Sequence, residues 1–315
     1  MMRRERLAKG KLIRLLRLIF LVILIASVWI ILANRVSSKT IISPLSSSVL
    51  TSDLPFQDSQ TKSGLSDVVG NALKDAKGDY AVVISNFKTG ESYSLNEHKI
   101  FEAGSLYKLW VMGAVYEHIQ LGTFKKDAIL SEDITVLNEK FHLATESAEL
   151  EEGRIELPVD VALRRMITIS DNYSALLLAW KLRLSKVSAF MDTKGFFESD
   201  LGRNDELPTT TAYDIALFFE RLYRGQLADS KSTEEMIALL KAQQLNDKIP
   251  KLLPQNTTIA HKTGELGLVS HDGGIVYHPK GDYIIVVLSS SSRPGDAAER
   301  VAQISKSVFD YFSRK

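Results

Sequence analysis

Apolar and polar positions along this chain of 315 residues follow two different periods, and where each holds predicts an element. From Tyr80 the run Tyr-Ala-Val-Val-Ile-Ser-Asn-Phe is β-branched and strand-like, turns at Lys88-Thr89-Gly90 and continues over 91–95, so a hairpin is expected after a helix over 67–77. Over 105–120 the pattern is helical and apolar on nearly all sides, with Gly122 near the C-cap position; a helix apolar all round belongs in a protein interior. Helical periodicity recurs over 158–169, 172–182, 187–194, 211–223 and 233–243. Strands are then expected over 258–262, 274–277 and 283–288, and a last helix over 297–312. Strands at both chain ends with helices between them predict an α/β (α+β) domain whose antiparallel sheet is built from both ends of the chain.

Ahead of this domain the pattern changes character. Arg3, Arg4, Arg6, Lys9, Lys11, Arg14 and Arg17 face one acid, Glu5, and precede an apolar run over 18–33 broken by Ser27. That run is shorter than the roughly 20 residues a spanning helix needs, but Arg14 and Arg17 can snorkel while Ile13, Leu15 and Leu16 extend the apolar surface. Its end, Ile31-Leu32-Ala33-Asn34, lacks the small-x-small site of a cleaved signal peptide. The expectation is a cytoplasmic basic segment over 1–12 and a transmembrane signal anchor over 13–34, with the following chain outside the cytoplasm by the positive-inside rule. A Ser/Thr-rich tether without period then covers 35–64, and one domain covers 65–315. The membrane is thereby an expected partner through the N-terminal helix, and the expected location is single-pass in the cell membrane.

Composition narrows the chemistry. With 45% hydrophobic and 24% charged residues the chain can bury a full core. Thirty-nine Lys plus Arg against 38 Asp plus Glu leave a net charge of +1, so no global basic field exists and nucleic acid is not an expected partner. The absence of cysteine excludes thiolate catalysis and Cys-ligated metal. Any nucleophile must be oxygen or nitrogen.

Serine followed three residues later by lysine occurs at Ser59, Ser85 and Ser105. The first lies in the expected tether and the second at a strand end, where two side chains would not be held in a fixed relation. Ser105 opens the buried helix, so Lys108 shares its face; desolvation there lowers a lysine pKa and lets it act as a base. The plainer reading is an N-cap serine with a snorkelling lysine. Ser170-Asp171-Asn172 lies between two helices and by itself reads as a helix-start cluster, since all three types cap. Lys262-Thr263-Gly264 by itself reads as a polar strand exit, and Lys88-Thr89-Gly90 offers a decoy in the hairpin turn.

Taken together and in order, Ser105-Leu106-Tyr107-Lys108, Ser170-Asp171-Asn172 and Lys262-Thr263-Gly264 resemble the motif set of the class A β-lactamase-like penicillin-recognising serine hydrolases. Phe101-Glu102-Ala103-Gly104, Met166-Ile167-Thr168-Ile169 and the stretch from Val269 to Val276 strengthen the likeness. The resemblance implies the serine β-lactamase/D,D-peptidase-like fold with a helical subdomain carrying the nucleophile helix. It implies hydrolysis of β-lactam or related amide bonds through an acyl-enzyme at Ser105, with Lys108 managing the proton, and hence a part in β-lactam antibiotic catabolism and resistance. Ser170 and Lys262 would relay a proton to the leaving nitrogen, and Asn172 would bond the substrate amide carbonyl. Lys262 and Thr263 would hold its carboxylate, and the N–H groups of Ser105 and of Glu265, just past Gly264, would form the oxyanion hole. No cofactor and no metal are implied, Asp171 looks structural, and a monomer acting on a β-lactam or peptidoglycan-like peptide is expected.

The sequence departs from the family after the second motif, where a long loop usually carries a Glu-x-x-Leu-Asn that activates the deacylating water. Here Glu198-Ser199-Asp200-Leu201 is followed by Gly202. In one register Glu198 is that base; in the other, the body of the loop is deleted, with Arg203-Asn204-Asp205-Glu206 at its exit and Glu198 an exposed acid, and deacylation is slow. No arginine occurs between Gly264 and Arg293 to help hold a carboxylate. Glu146 to Glu152 reads as a solvated acidic rim, His261 and His271 as packed or solvent-facing, and Trp110, Met112 and Tyr116 as core. Two alternatives stand beside a β-lactamase: a D,D-peptidase-like cell-wall enzyme, and a penicillin-binding sensor that stays acylated, for which the short basic N-terminus offers no output module.

Overall fold

The strand Asp79–Asn86 buries both of its faces, and the layering of the fold follows from that. The computed structural model describes residues 64–143, 148–202 and 206–315. In order, they form α1 (Gly64–Ala72), β1 (Asp79–Asn86), β2 (Ser92–Leu95), β3 (Phe101–Glu102), a 3-10 turn (Gly104–Tyr107), α2 (Lys108–Gln120), β4 (Ile129–Asp133), α3 (Ile134–Lys140), β5 (Arg154–Pro158), α4 (Val159–Thr168), α5 (Asn172–Leu182), α6 (Leu184–Thr193), β6 (Thr209–Thr210), α7 (Ala212–Tyr223), α8 (Ser230–Lys241), β7 (Thr258–Leu266), β8 (Val269–Tyr277), β9 (Tyr283–Ser290) and α9 (Pro294–Ser313).

The main sheet has the order β2-β1-β9-β8-β7 and is antiparallel throughout, so both chain ends build it as the pattern predicts. Side chains on a strand alternate between faces. Ala81, Val83, Ile284, Val286 and Leu288 therefore enter one core with α2 and α4–α8, while Val82, Ile84, Ile285 and Val287 enter the other with Leu65 and Val69 of α1 and Val301 and Val308 of α9. The register Val82↔Val287 and Val83↔Val286 keeps neighbours on the same side.

At the centre of the helical layer, α2 is buried from Lys108 to Tyr116, including the expected core residues Trp110, Met112 and Tyr116. Trp110 packs on Phe196 and Phe218, with ring centroids 4.5 and 5.5 Å away. Gly113 gives the ring of Phe190 room to lie against the helix backbone, where a Cβ would collide with it. Gly122 follows the C-cap Leu121 with a positive φ of 71°.

Several boundaries differ from the pattern by a few residues, and three of them bear on the site. The helix expected from Ser105 begins as a 3-10 turn, β7 runs on through the Lys-Thr-Gly motif to Leu266, and β8 begins at Val269 instead of 274. The polar string Ser270-His271-Asp272 is a buried part of β8, with His271 and Asp272 hydrogen-bonded inside the protein, which hydropathy does not reveal.

The expected membrane helix requires correction. No helix among the described residues is long and apolar enough to cross a membrane. The longest, α9, carries Asp296, Glu299, Arg300, Lys306 and Asp310 along its length and lays only one face on the sheet. The segments 1–12 and 13–34 lie outside the described residues, and the apolar run that suggested an anchor is itself below the usual spanning length. The transmembrane signal anchor, the membrane as a partner and single-pass localisation are accordingly withdrawn.

Candidate active site

The three motifs meet where the 3-10 turn abuts β7. Two glycines permit that approach. A Cβ on Gly264 would lie 2.9 Å from both the Ala103 carbonyl oxygen and Leu106 Cγ, and Gly104, at φ 49°, would bring one 2.9 Å from the Glu265 nitrogen. Half-buried Ser105 is thereby held beside the backbone of Glu265.

Lys108 opens α2 fully buried and extends its amine toward the second motif. Its Nζ donates to the Ser170 carbonyl at 2.6 Å, to Asn172 Oδ1 at 2.7 Å and to Ser170 Oγ at 3.1 Å. Lys262, equally buried on β7, donates to the same Ser170 Oγ at 3.0 Å and to the Thr263 carbonyl at 2.8 Å. Ser170 reaches both from a backbone φ of 58°, a left-handed conformation that costs a non-glycine residue about 1–2 kcal/mol. Asp171 then caps α5, accepting from the Ser174 N–H at 2.6 Å and from Arg165 at 2.8 Å, which fixes the start of the helix at Asn172.

Burial pushes the Lys108 amine down to about 7, against the opposing charges of Asp171 and Glu149. Lys262 is held well below the ordinary lysine value, first by burial and then by the positive charge of Lys108. Burial would raise the Asp171 carboxyl, but bonds from Ser174 and the Arg165 guanidinium outweigh it and hold the group low. The site therefore joins two readily deprotonated amines to one hydroxyl.

The flanking histidines are packed within the fold. His271 accepts from the Ser289 N–H at its Nδ1, 3.0 Å, so its Nε2 donates to the Glu102 carbonyl at 2.8 Å; burial lowers its pKa to about 4. His261 meets Asp272 at 2.9 Å and Asn246 at 3.1 Å, and Asp272 also accepts from the Ile249 N–H. These bonds stitch β7 to β8 directly behind Lys262 and Thr263.

Glu198 stands apart from this cluster. Its carboxylate bonds His98 at 2.8 Å and the Thr211 hydroxyl at 2.9 Å, and among the described residues Lys108 makes no hydrogen bond to a carboxylate. The Glu198 N–H and the Ser199 hydroxyl are both bonded to buried Asp214, which ties the connection after α6 down onto α7. Residues 203–205 of the alternative register lie outside the described residues. Two further groups beside the site are not apparent from sequence. Lys248 is buried between Asp247 and Glu265, and Glu149 accepts from Asn172 Nδ2 at 2.5 Å. Neither stands in a motif; Glu149 is one acid in an acidic run, and only chain folding shows which of them faces inward.

A layered antiparallel sheet with a helical subdomain, carrying a Ser-x-x-Lys, a Ser-Asp-Asn and a Lys-Thr-Gly around one point, is the architecture of the serine β-lactamase and D,D-peptidase group. The sequence matches the β-lactamase enzyme family over residues 63–312, and the chain belongs to that family. It is 23% identical over 278 residues to the β-lactamase VEB-1 of Pseudomonas aeruginosa, covering 78% of this chain and 90% of that protein. The fold superposes on a β-lactamase from Sphaerobacter thermophilus with a TM-score of 0.69 at 23% identity, covering 80% of this chain and 98% of that one. It also superposes on PBP-A with a TM-score of 0.70 at 19% identity, over 80% and 96% of the two chains. A variant of PBP-A with the same similarity is known as an acyl-enzyme complex with penicillin G.

Proposed function

We propose that this protein is a serine hydrolase that opens β-lactam or related amide bonds by forming an acyl-enzyme at Ser105. Neutral Lys108 takes the proton as Ser105 Oγ attacks the carbonyl carbon, and the N–H groups of Ser105 and Glu265 receive the developing oxyanion. The C–N bond breaks as the Ser170 hydroxyl protonates the leaving nitrogen, and the Lys108 ammonium formed in the attack returns its proton to Ser170. Asn172 bonds the substrate amide carbonyl, and Lys262 with Thr263 holds its carboxylate. Water then releases the acyl group and restores Ser105.

The observation that carries this reading is the Ser170 hydroxyl held by both lysine amines. With Lys108 neutral, its two hydrogens serve the Ser170 carbonyl and Asn172 at the shorter distances, so Oγ lies between one donating amine and one that can exchange a proton with it, the position a proton relay to a leaving group needs. Slow deacylation is part of the proposal, since Glu198 is bonded to His98 and Thr211 instead of to Lys108. In the register that deletes the family's loop body, a second reading, a D,D-peptidase-like enzyme, gains support, because the shorter connection leaves room for a bulkier peptide.

The test is a time course of intact mass after addition of benzylpenicillin. A one-to-one adduct retaining the whole penicillin mass, located at Ser105, is expected; Ser105→Ala abolishes it and Ser85→Ala keeps it. An adduct on another serine overturns the assignment. Persistence of the adduct over a chase, beside cleavage of a D-Ala-D-Ala peptide, favours the peptidase reading.

A further inference from the structure

The acidic run before β5 reads as solvated rim, yet one member turns into the site. Glu149 Oε1 accepts from Asn172 Nδ2 at 2.5 Å. The contact is anchored on both sides. The backbone of the next residue, Leu150, is bonded at its N–H to the Tyr173 hydroxyl at 3.2 Å and at its carbonyl by the Asn138 amide at 2.8 Å and the Tyr173 hydroxyl at 2.7 Å. Tyr173 directly follows Asn172 on α5, so the helix start that presents the Asn172 amide also sets the position of Glu149.

An amide nitrogen carries two hydrogens. With Asn172 Oδ1 bonded to Lys108 and one Nδ2 hydrogen bonded to Glu149, one hydrogen remains for a substrate carbonyl. Any substituent on the carbon next to that carbonyl then lies beside the Glu149 carboxylate, which is exposed at the rim. The Lys108 ammonium, whose charge it feels, is engaged with Ser170 and Asn172. A carboxylate so placed attracts an ammonium group on the substituent and repels a second carboxylate.

We infer that Glu149 is a specificity-determining residue, selecting amide substrates that carry an ammonium group on the carbon next to the carbonyl bound by Asn172. The inference rests on the acyl-enzyme reading above and adds the charge of the preferred acyl side chain. The carboxylate is partly screened, so the preference is modest and salt-sensitive.

Three penicillins of one scaffold provide the test: ampicillin, benzylpenicillin and carbenicillin, which carry an ammonium, a hydrogen and a carboxylate at that carbon. Second-order acylation rates of the full-length protein at low salt are expected to fall in that order, by about threefold to fivefold per step. The order should collapse in Glu149→Gln and at 1 M salt. An order that survives the substitution, or a substitution that changes all three rates by one common factor, overturns the assignment; the common factor would mean that Glu149 acts only through Lys108. If none of the penicillins acylates Ser105, the acyl-enzyme reading fails instead, so the two failures are distinguishable.

Discussion

Lys108 and Lys262 reach one hydroxyl from two sides, their amines 3.1 and 3.0 Å from Ser170 Oγ. Two ammonium groups that close, both buried, would repel each other and forfeit their hydration, so the pair is most stable with at most one proton between them. That arrangement favours a neutral amine at Lys108, one turn along from Ser105, near neutral pH without a carboxylate bonded to it.

The first consequence is a pH profile. Lys108 is pushed down to about 7, so the free amine prevails above that value and is lost below it. The rate of penicillin acylation should rise with pH, level off past about 7 and fall roughly tenfold per unit below. Lys108→Ala should lower the plateau by about 10²–10⁴. Stopped-flow acylation at pH 5 to 9 measures both, and a flat profile would remove Lys108 from the role of base.

Glu198 offers the sharpest test of deacylation. Its contacts with His98 and Thr211 predict that Glu198→Gln leaves the lifetime of the penicillin adduct within about twofold, because an exposed pair of this kind contributes little even to stability. Rapid multiple turnover that disappears in this variant would instead make Glu198 the base that activates water.

Asp214 should give the fold a pH dependence of its own. Burial, opposed by bonds from Ser199 and the backbone, raises its carboxyl from 3.8 to about 6. The native state therefore keeps a proton that the unfolded chain has released, and stability falls as pH rises from about 4 to 6 and stays lower above. Asp214→Asn cannot ionise, so its stability relative to the wild type should improve by about 2–3 kcal/mol between pH 4 and pH 7. Urea unfolding at the two pH values checks the sign.

Gly264→Ala tests the seam between the nucleophile turn and β7. Its Cβ would meet the Ala103 carbonyl and Leu106 Cγ at 2.9 Å, so the turn carrying Ser105 must move away from Glu265. Displacement of this kind costs up to about 10²-fold in rate. Acylation should fall at least tenfold while the protein remains folded by circular dichroism.

Periodicity alone determined the α/β layering, the buried central helix and a sheet built from both chain ends, because alternation and helical spacing follow from which faces meet the core, as at Val82 and Val83. Motif order pointed to Ser105, Lys108, Ser170 and Lys262 through the resemblance that the three motifs carry together, since each by itself reads as a cap or a strand exit. Only the tertiary structure decided what each polar residue touches. Ser270, His271 and Asp272 look like loop residues until β7 and β9 supply their neighbours. Glu198 and Glu149 are both acids in polar surroundings; chain folding turns the first to His98 and the second to Asn172. A carboxylate's role depends on its partners within a few ångströms, and those partners lie far away in sequence, where no local pattern carries them.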